Sequence, residues 1–410
     1  MGPLSHVRVC DFTGQLAGAG ATKFLAAFGA QVIRIEDPVA EGRWDILRGI
    51  PPFRPGQSGL DAGGAFNNHN VEKLGITLNL RTAKAREVLR RLVAVSDCVT
   101  ENFAAGVLER LGFGYEELKR LRPDIIYVSN CGFGHRGPYR SYKTWGPIVQ
   151  AVSGLTFSSG LRDEPPAGWG YSYMDHTGAY YMAMAILMAL YHRNRTGEGQ
   201  WVDLATTEAG AVLNGPALLD YTVNGRALRR PGSPNSNRSQ YPRMAPHGIY
   251  PAEGEDCWLA IACRDDRDWG ALAAIVAEPW SDNPRFATVD SRVEHEDELD
   301  RLVSAWSCQR AAGETAALLQ AQGVPAAPVQ RPENRIERDP NTREWGLWPT
   351  VEHSAMGEVR VDGLPVHLSR TDWQMRRGGP CLGEHNDFVL GEVLGYSAEE
   401  IAAFRSEGVI

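Results

Sequence analysis

Residues 7–36 read VRVCDFTGQLAGAGATKFLAAFGAQVIRIE, and this stretch decides the fold. Residues 7–12 are a short apolar run that reads as a buried strand. A Gly/Ala-rich turn follows, and a helix runs through Phe28. Residues 31–35 form a second apolar run, a second strand. Strand, helix and strand in close succession predict a parallel sheet and an α/β class.

Further elements follow along the chain. Residues 39–66 read as irregular, with Pro51, Pro52 and Pro55, and 76–80 as a short strand. A helix is predicted over 82–96, where Ala85, Val88, Leu89, Leu92 and Val93 share one face. Residues 125–129 read as a strand closed by a turn at Gly132 and Gly134. Residues 171–175 read as extended, and a helix is expected after Gly178. It closes on His192, Arg193 and Arg195 before Gly197, the order a helix C-terminus favours.

Residues 225–246 change character, with Pro231, Pro234, Pro242, Pro246 and interspersed Gly, Asn and Ser, and read as a linker. A smaller α+β lobe is expected over 247–330, with a strand at 258–262 and helices near 267–277 and 313–322. A second linker covers 331–350. The large domain would then be 1–224 together with 351–410, with a strand near 358–361 and a helix near 397–405. A chain of 410 residues fits two lobes better than one core.

Composition excludes several classes. The net charge of -8 argues against nucleic acid as a partner, because phosphate neutralisation needs a basic excess. The longest apolar run, 179–191, is too short for a bilayer and reads as a buried helix. No signal peptide is read at the N-terminus. The seven cysteines are scattered without a CxxC pair, which suits a reducing cytoplasm and argues against a zinc ribbon.

Four constellations carry possible chemistry. Gly18 and Gly20, with Glu36 ending the next strand, are a partial dinucleotide fingerprint that invites a nicotinamide oxidoreductase. Lys23 stands at the third glycine position and the turn is too long, so a packing turn is the favoured reading. Asp175-His176-Thr177-Gly178 opens an apolar helix. Asp175 reads either as an N-cap or as a carboxylate kept ionised by the helix dipole beside N–H groups suited to an oxyanion. Arg34, Arg81, Arg110 and Lys143 are either solvated cations or a phosphate-binding set. Trp145, Trp169, Tyr171 and Tyr173 are either core aromatics or the lining of an acyl pocket, with His176 beside them.

The chain resembles the family III CoA-transferases, the formyl-CoA transferase and carnitine or bile-acid CoA-transferase group. The resemblance runs nearly end to end. It is carried by VRVCDFT, AGAGATKFLAAFGAQVIRIEDP, GITLNLRTAKAREVL, SDCVTENFAAGVLERLGFGYEELKRLRPDIIYVSNCGFGHRGPY, IVQAVSGL, YSYMDHTGAYYMAMAILMALYHRNRTGEGQWVDLATTE, APHGIYPAEG and LGEHNDFVLGEVLGYSAEEI. It implies a Rossmann-like large domain built from both chain ends, a smaller middle domain and an interlocked-ring homodimer. It also implies that Asp175 is the catalytic nucleophile.

The residues matching the family's CoA contacts are Gln15, Leu16, Leu78, Asn79, Leu80, Arg81, Asn102, Phe103, Arg110, Lys143, Thr144, Trp145 and Gly146. The implied partners are an acyl-CoA thioester and a carboxylic acid as substrates. No metal and no permanently bound cofactor is expected. Two departures stand out. Asp37 occupies a place where the family often has a basic residue reaching the CoA nucleotide, with Arg34 and Arg43 as nearby replacements. The stretch from Asn237 to Pro242 lacks the glycine-rich loop of formyl-CoA transferase, which tells against formate or oxalate.

Rival readings keep the fold and alter the chemistry. An α-methylacyl-CoA racemase would need a His where Trp145 stands, and Trp is no base at neutral pH. An intramolecular CoA-transfer isomerase would use Asp175 in the same way. A non-catalytic acyl-CoA binder would bind without exchange.

Overall fold

The computed structural model describes residues 2–161, 164–230, 237–239 and 241–410. Residues 231–236 and Gln240, within the expected linker and the loop-equivalent stretch, lie outside the described residues. Contacts divide the chain into two units. One comprises Met1–Leu155, Trp169–Leu213 and Pro340–Ile410, and the other Thr156–Gly168 and Asn214–Asp339. The boundaries read from sequence at 224 and 330 differ from these, because helix and loop residues on either side of the proline-rich stretch make their contacts with the second unit.

The first unit is built on six parallel strands. They are β1 (Arg8–Phe12), β2 (Gln31–Glu36), β3 (Leu74–Thr77), β4 (Cys98–Glu101), β5 (Ile126–Cys131) and β6 (Trp201–Ala205), in the order β3-β2-β1-β4-β5-β6. Side chains alternate between faces. Cys10, Phe12, Ile33 and Ile35 enter one core, and Val9, Val32, Ile126 and Val128 enter the other. Burial on both faces explains why these strands read as continuous apolar runs.

Helix α1 (Ala17–Ala27) and the long helix α4 (Tyr173–Thr196) share one core. Helix α2 (Ala83–Ala94) shares the other with the chain's C-terminal residues Val389, Leu390, Ile401 and Phe404. The α2 residues that are buried are the five read from the periodicity. Thr82 caps that helix by accepting a hydrogen bond from the Ala85 N–H at 3.1 Å.

The C-terminal segment closes the sheet edge. The His385 N–H donates to the Gly75 carbonyl at 2.9 Å, and Asn386 Oδ1 accepts from the Thr77 N–H at 2.9 Å. This supplies partners to the outer side of β3, a strand that would otherwise be an open edge. Lys23 ties the N-terminal helix to Asp362, with Nζ 3.0 Å from Oδ1. The third-glycine position is therefore a buried ion-pair position.

Gly18 and Gly20 lie inside α1 rather than in the turn before it. A Cβ on Gly18 would fall 2.6 Å from Asn102 Cγ, and one on Gly20 would fall 3.1 Å from Ala179 Cβ. Both glycines serve close packing.

The second unit carries an antiparallel sheet of β7 (His247–Pro251), β8 (Trp258–Ala262) and β9 (Ala326–Pro328). Leu259, Ile261, Trp269, Leu272, Phe286, Leu299, Val303 and Leu319 form its core. Among the described residues, no helix is long and apolar enough to cross a membrane.

Candidate active site

In the order β3-β2-β1-β4, the chain leaves β1 towards β2 on one side and returns beside it as β4 on the other. The loops after β1 and β4 therefore part at a topological switch point, where parallel sheets open a crevice. A cleft of about 330 Å³ sits there. The loop after β1 contributes Gly14 and Gln15, and the loop after β4 contributes Asn102 and Phe103.

These two loops are locked together. The Gly14 N–H donates to Asn102 Oδ1 at 2.8 Å, and the Asn102 amide donates back to the Gly14 carbonyl at 3.0 Å. Gln15 holds a φ of 55°, a left-handed conformation that costs a non-glycine residue about 1 kcal/mol or more. Beneath the turn, the buried Asp11 carboxylate accepts from the Thr13 N–H and from the hydroxyls of Thr13, Thr22 and Thr100. Lys73 Nζ lies 3.3 Å from Asp11, and burial pushes that ammonium down to about 8.

Asp175 faces the same cleft, as do Lys143, Thr144 and Trp145. The structure corrects its local setting in one respect. Helix α4 begins at Tyr173 with Ser172 in the N-cap position, so residues 173–175 are helical and Asp175 is the third helical residue. It is not the cap. Its carboxylate remains in the first turn, at the positive end of a 24-residue helix.

Burial raises the Asp175 carboxyl above its ordinary value, while a hydrogen bond from Ser172 and the neighbouring His176 pull it down. A half-desolvated carboxylate is more basic and more nucleophilic than a hydrated one. Gly146, the first residue of α3 (Gly146–Val152), packs against it: a Cβ at 146 would fall 2.6 Å from Asp175 Oδ2.

The remaining residues anticipated from sequence are spread more widely. Leu16 precedes α1 as its N-cap residue. Leu78, Asn79, Leu80 and Arg81 follow β3 at the sheet edge, where the Asn79 N–H donates to the Val409 carbonyl at 2.8 Å. Leu78 is buried and Arg81 exposed. Arg110 is exposed on a short helical turn. None of these six lines the Asp175 cleft.

Trp169, Tyr171, Tyr173 and His176 form a ring cluster of their own, with Trp169 and Tyr173 centroids 4.6 Å apart and Tyr171 and His176 6.4 Å apart. Trp169, Tyr171 and His176 are exposed, and none of the four lines the cleft.

Arg34 does not belong to a phosphate-binding set. It is fully buried, with Nη2 2.8 Å from Asp45 Oδ2 and Nη1 donating to the Thr13 carbonyl. Its cation also lies 5.3 Å from the Trp44 ring centroid, and Trp44 lines the cleft. Arg34 thus supports a wall of the cleft. Arg43 is exposed and paired with Glu41 at 3.0 Å.

Sequence reasoning missed Trp44, Asn130, Arg140, Tyr142 and Thr206 in the lining. Arg140 and Tyr142 flank Lys143 closely enough to be inferred from it. Trp44, Asn130 and Thr206 arrive through tertiary packing and leave no local signal.

The chain matches the family model described as CoA-transferase family III over residues 4–386. The chain belongs to that family. It is 33% identical to the succinyl-CoA–D-citramalate CoA-transferase of Chloroflexus aurantiacus, covering 100% of this chain and 98% of the relative. It is 32% identical to the succinate–glutarate CoA-transferase of Agrobacterium fabrum, covering 95% and 96%. A CAIB/BAIF family protein from Brucella suis superposes with a TM-score of 0.85 at 28% identity, covering 96% of this chain and 99% of that one. This family III CoA-transferase is accordingly an enzyme that transfers coenzyme A, with CoA thioesters and carboxylic acids as its substrate classes.

Proposed function

We propose that Asp175 carries the CoA exchange covalently. Its carboxylate attacks the donor thioester carbonyl; a C–O bond forms, the C–S bond breaks, and CoA thiolate leaves. The thiolate attacks the Asp175 acyl carbon of the resulting anhydride, releasing the donor acid and leaving an aspartyl-CoA thioester. The acceptor carboxylate then attacks that thioester and expels the thiolate. The thiolate attacks the acceptor's acyl carbon, forming the new acyl-CoA and regenerating the Asp175 carboxylate. Two easier steps replace one difficult exchange in each direction.

The observation that carries this reading is a partly desolvated carboxylate at a helix N-terminus, facing a switch-point cleft. Arg140 and Lys143 in the lining supply cations suited to CoA phosphates. Holding the nucleotide keeps the thiolate beside the anhydride. Among the other matched positions, Gln15, Asn102, Phe103, Thr144, Trp145 and Gly146 would contact the pantetheine. Leu16, Leu78, Asn79, Leu80, Arg81 and Arg110 would extend the CoA site. Trp169, Tyr171, Tyr173 and His176 would border the acyl group. Both named relatives use succinate or its thioester, so succinyl-CoA is the donor to try first.

The same reading includes a homodimer. Support comes from α4, whose outer face leaves Tyr180, Met184, Leu187, Met188 and Tyr191 exposed along one stripe. A contiguous apolar stripe of this kind marks an interface. The run expected to be a buried helix is thus buried along one face only in the single chain.

The test is to add succinyl-CoA, quench with hydroxylamine and map the modified peptide by mass spectrometry. Conversion of Asp175 to a hydroxamate is expected, and Asp175→Ala should lose at least about 1,000-fold of the exchange rate. An unmodified Asp175, or a fully active alanine variant, overturns the mechanism. Solvent deuterium entering the substrate α-carbon would point to racemisation instead.

A further inference from the structure

Cys131, His135 and Asp203 stand together beside the cleft, and the acyl-transfer mechanism uses none of them. Cys131 ends β5 and Asp203 lies in its neighbour β6. Between them the chain turns at Gly134, with φ 70°, and returns His135 to the strand ends. His135 Nδ1 is 3.1 Å from Asp203 Oδ1 and 3.8 Å from Cys131 Sγ. The three ligand-type atoms all lie within 4.8 Å of one another.

We propose that Cys131, His135 and Asp203 form a binding site for a borderline-soft divalent cation of the zinc class. Zinc bonds of about 2.0–2.3 Å at tetrahedral angles set neighbouring donor atoms about 3.3–3.6 Å apart. The present spacing needs movements of about 1 Å or less to meet that geometry. A sulfur, an imidazole nitrogen and a carboxylate oxygen suit zinc rather than magnesium or calcium. One thiolate and one carboxylate balance a double positive charge, so the loaded site carries no net charge.

Two further observations point to a ligand. The His135 N–H donates to both Asp203 oxygens, at 3.0 and 3.2 Å, which fixes the carboxylate before any ion arrives. The His135 side chain is only 9% exposed, yet its Nε2 has no hydrogen-bond partner. That nitrogen lies 3.8 Å from Glu109 Oε1. With the ring proton on Nδ1, Nε2 turns a lone pair towards a carboxylate. A cation on Nδ1 moves the proton to Nε2, where it faces Glu109, and so completes the ligand–imidazole–carboxylate chain that stabilises metal sites.

The site also bears on the cleft. Cys131 lines it, and three protein ligands leave a fourth position for water or a cleft ligand. The bound ion would pin the turn carrying Gly132, whose missing Cβ would fall 2.0 Å from Thr144 Oγ1. Thr144 lines the cleft beside Lys143 and Trp145.

The experiment titrates zinc chloride into the chelator-stripped full chain by calorimetry and substitutes cobalt(II) for spectroscopy. One ion per chain is expected, with tetrahedral d–d bands and a thiolate-to-cobalt charge-transfer band. Cys131→Ser should abolish the charge-transfer band. Cys131→Ser and His135→Gln should each weaken binding by about 10–100-fold or more. Cys308→Ser, an exposed thiol elsewhere, should leave binding unchanged. No saturable binding to the wild type, binding without a charge-transfer band, or undiminished binding in both site variants overturns the proposal. The wild-type cobalt spectrum is decisive even where a variant fails to fold.

Discussion

Gly146 and Asp175 meet so closely that no side chain fits between them: a Cβ on Gly146 would lie 2.6 Å from Asp175 Oδ2 and 2.9 Å from Cγ. The backbone of one helix start therefore forms the wall against which the carboxylate rests. Gly146→Ala must turn that carboxylate away. A displacement near 1 Å in a reacting group costs about 100-fold in rate. We expect kcat to fall by about that factor; the added Cβ would also fall 2.8 Å from Ser172 Cβ, so the start of the Asp175 helix must shift as well. Wild-type kcat in the alanine variant would show that the carboxylate's position is not set by this contact.

The acid limb of the pH–rate profile should follow the ionisation of Asp175, the proposed nucleophile. Burial raises that carboxyl and the Ser172 hydrogen bond lowers it. The proposed nucleophile works only when ionised, so the exchange rate should fall as pH drops through a value above that of an ordinary aspartate. Ser172→Ala removes a lowering influence, so its acid limb should move to higher pH. A limb that stays in place, or moves down, would detach Ser172 from the titration.

Arg34 and Arg43 differ sharply despite their proximity in sequence. Arg34, Glu36 and Asp45 all have fully buried side chains, and the Arg34–Asp45 pair is 2.8 Å long. Removing one partner of a buried pair costs about 3–5 kcal/mol. Arg34→Ala should therefore lower stability by about that amount in urea unfolding. Arg43 is exposed beside Glu41, and Arg43→Ala should change stability by less than about 1 kcal/mol. Equal effects of the two substitutions would contradict the assignment of Arg34 as a support.

The exposed stripe on α4 makes a prediction about assembly. Met188 is 59% exposed and Tyr191 64% exposed in the single chain. Met188→Glu with Tyr191→Glu places two charges on that face, which costs several kcal/mol in a dry interface. Light scattering should show a dimer mass for the wild type, as proposed, and half that mass for the double variant. An unchanged mass in a folded double variant would remove α4 from the interface.

The wall of the cleft was hard to read for a physical reason. Lys143, Thr144 and Trp145 came as a contiguous motif, and Arg140 belongs to the same loop. Trp44 enters because the buried Arg34 cation lies over its ring, and Thr206 because its hydroxyl donates to Asn130 Oδ1 at 2.9 Å. The Thr206–Asn130 pairing joins residues 76 apart in the chain, and the Arg34–Trp44 pairing spans an irregular loop with no periodicity to reveal it.

Sequence alone determined what depends on local periodicity and local chemistry. The alternation of strand and helix over residues 7–36 sets a parallel sheet. The spacing of Ala85, Val88, Leu89, Leu92 and Val93 sets the buried face of α2, because side chains at those offsets share one side of a 3.6-residue turn. Asp175 read locally as a helix cap, and only the resemblance to the family singled it out as the expected nucleophile. Tertiary structure decided what depends on strand order. It placed Asp175 at the third position of its helix, with Gly146 against it. It withdrew Arg34 into the core and returned His135 to Asp203, 68 residues away. Those contacts form only when strands distant in the chain lie side by side, since hydrogen bonds and ion pairs act over about 3 Å and carry no trace along the sequence.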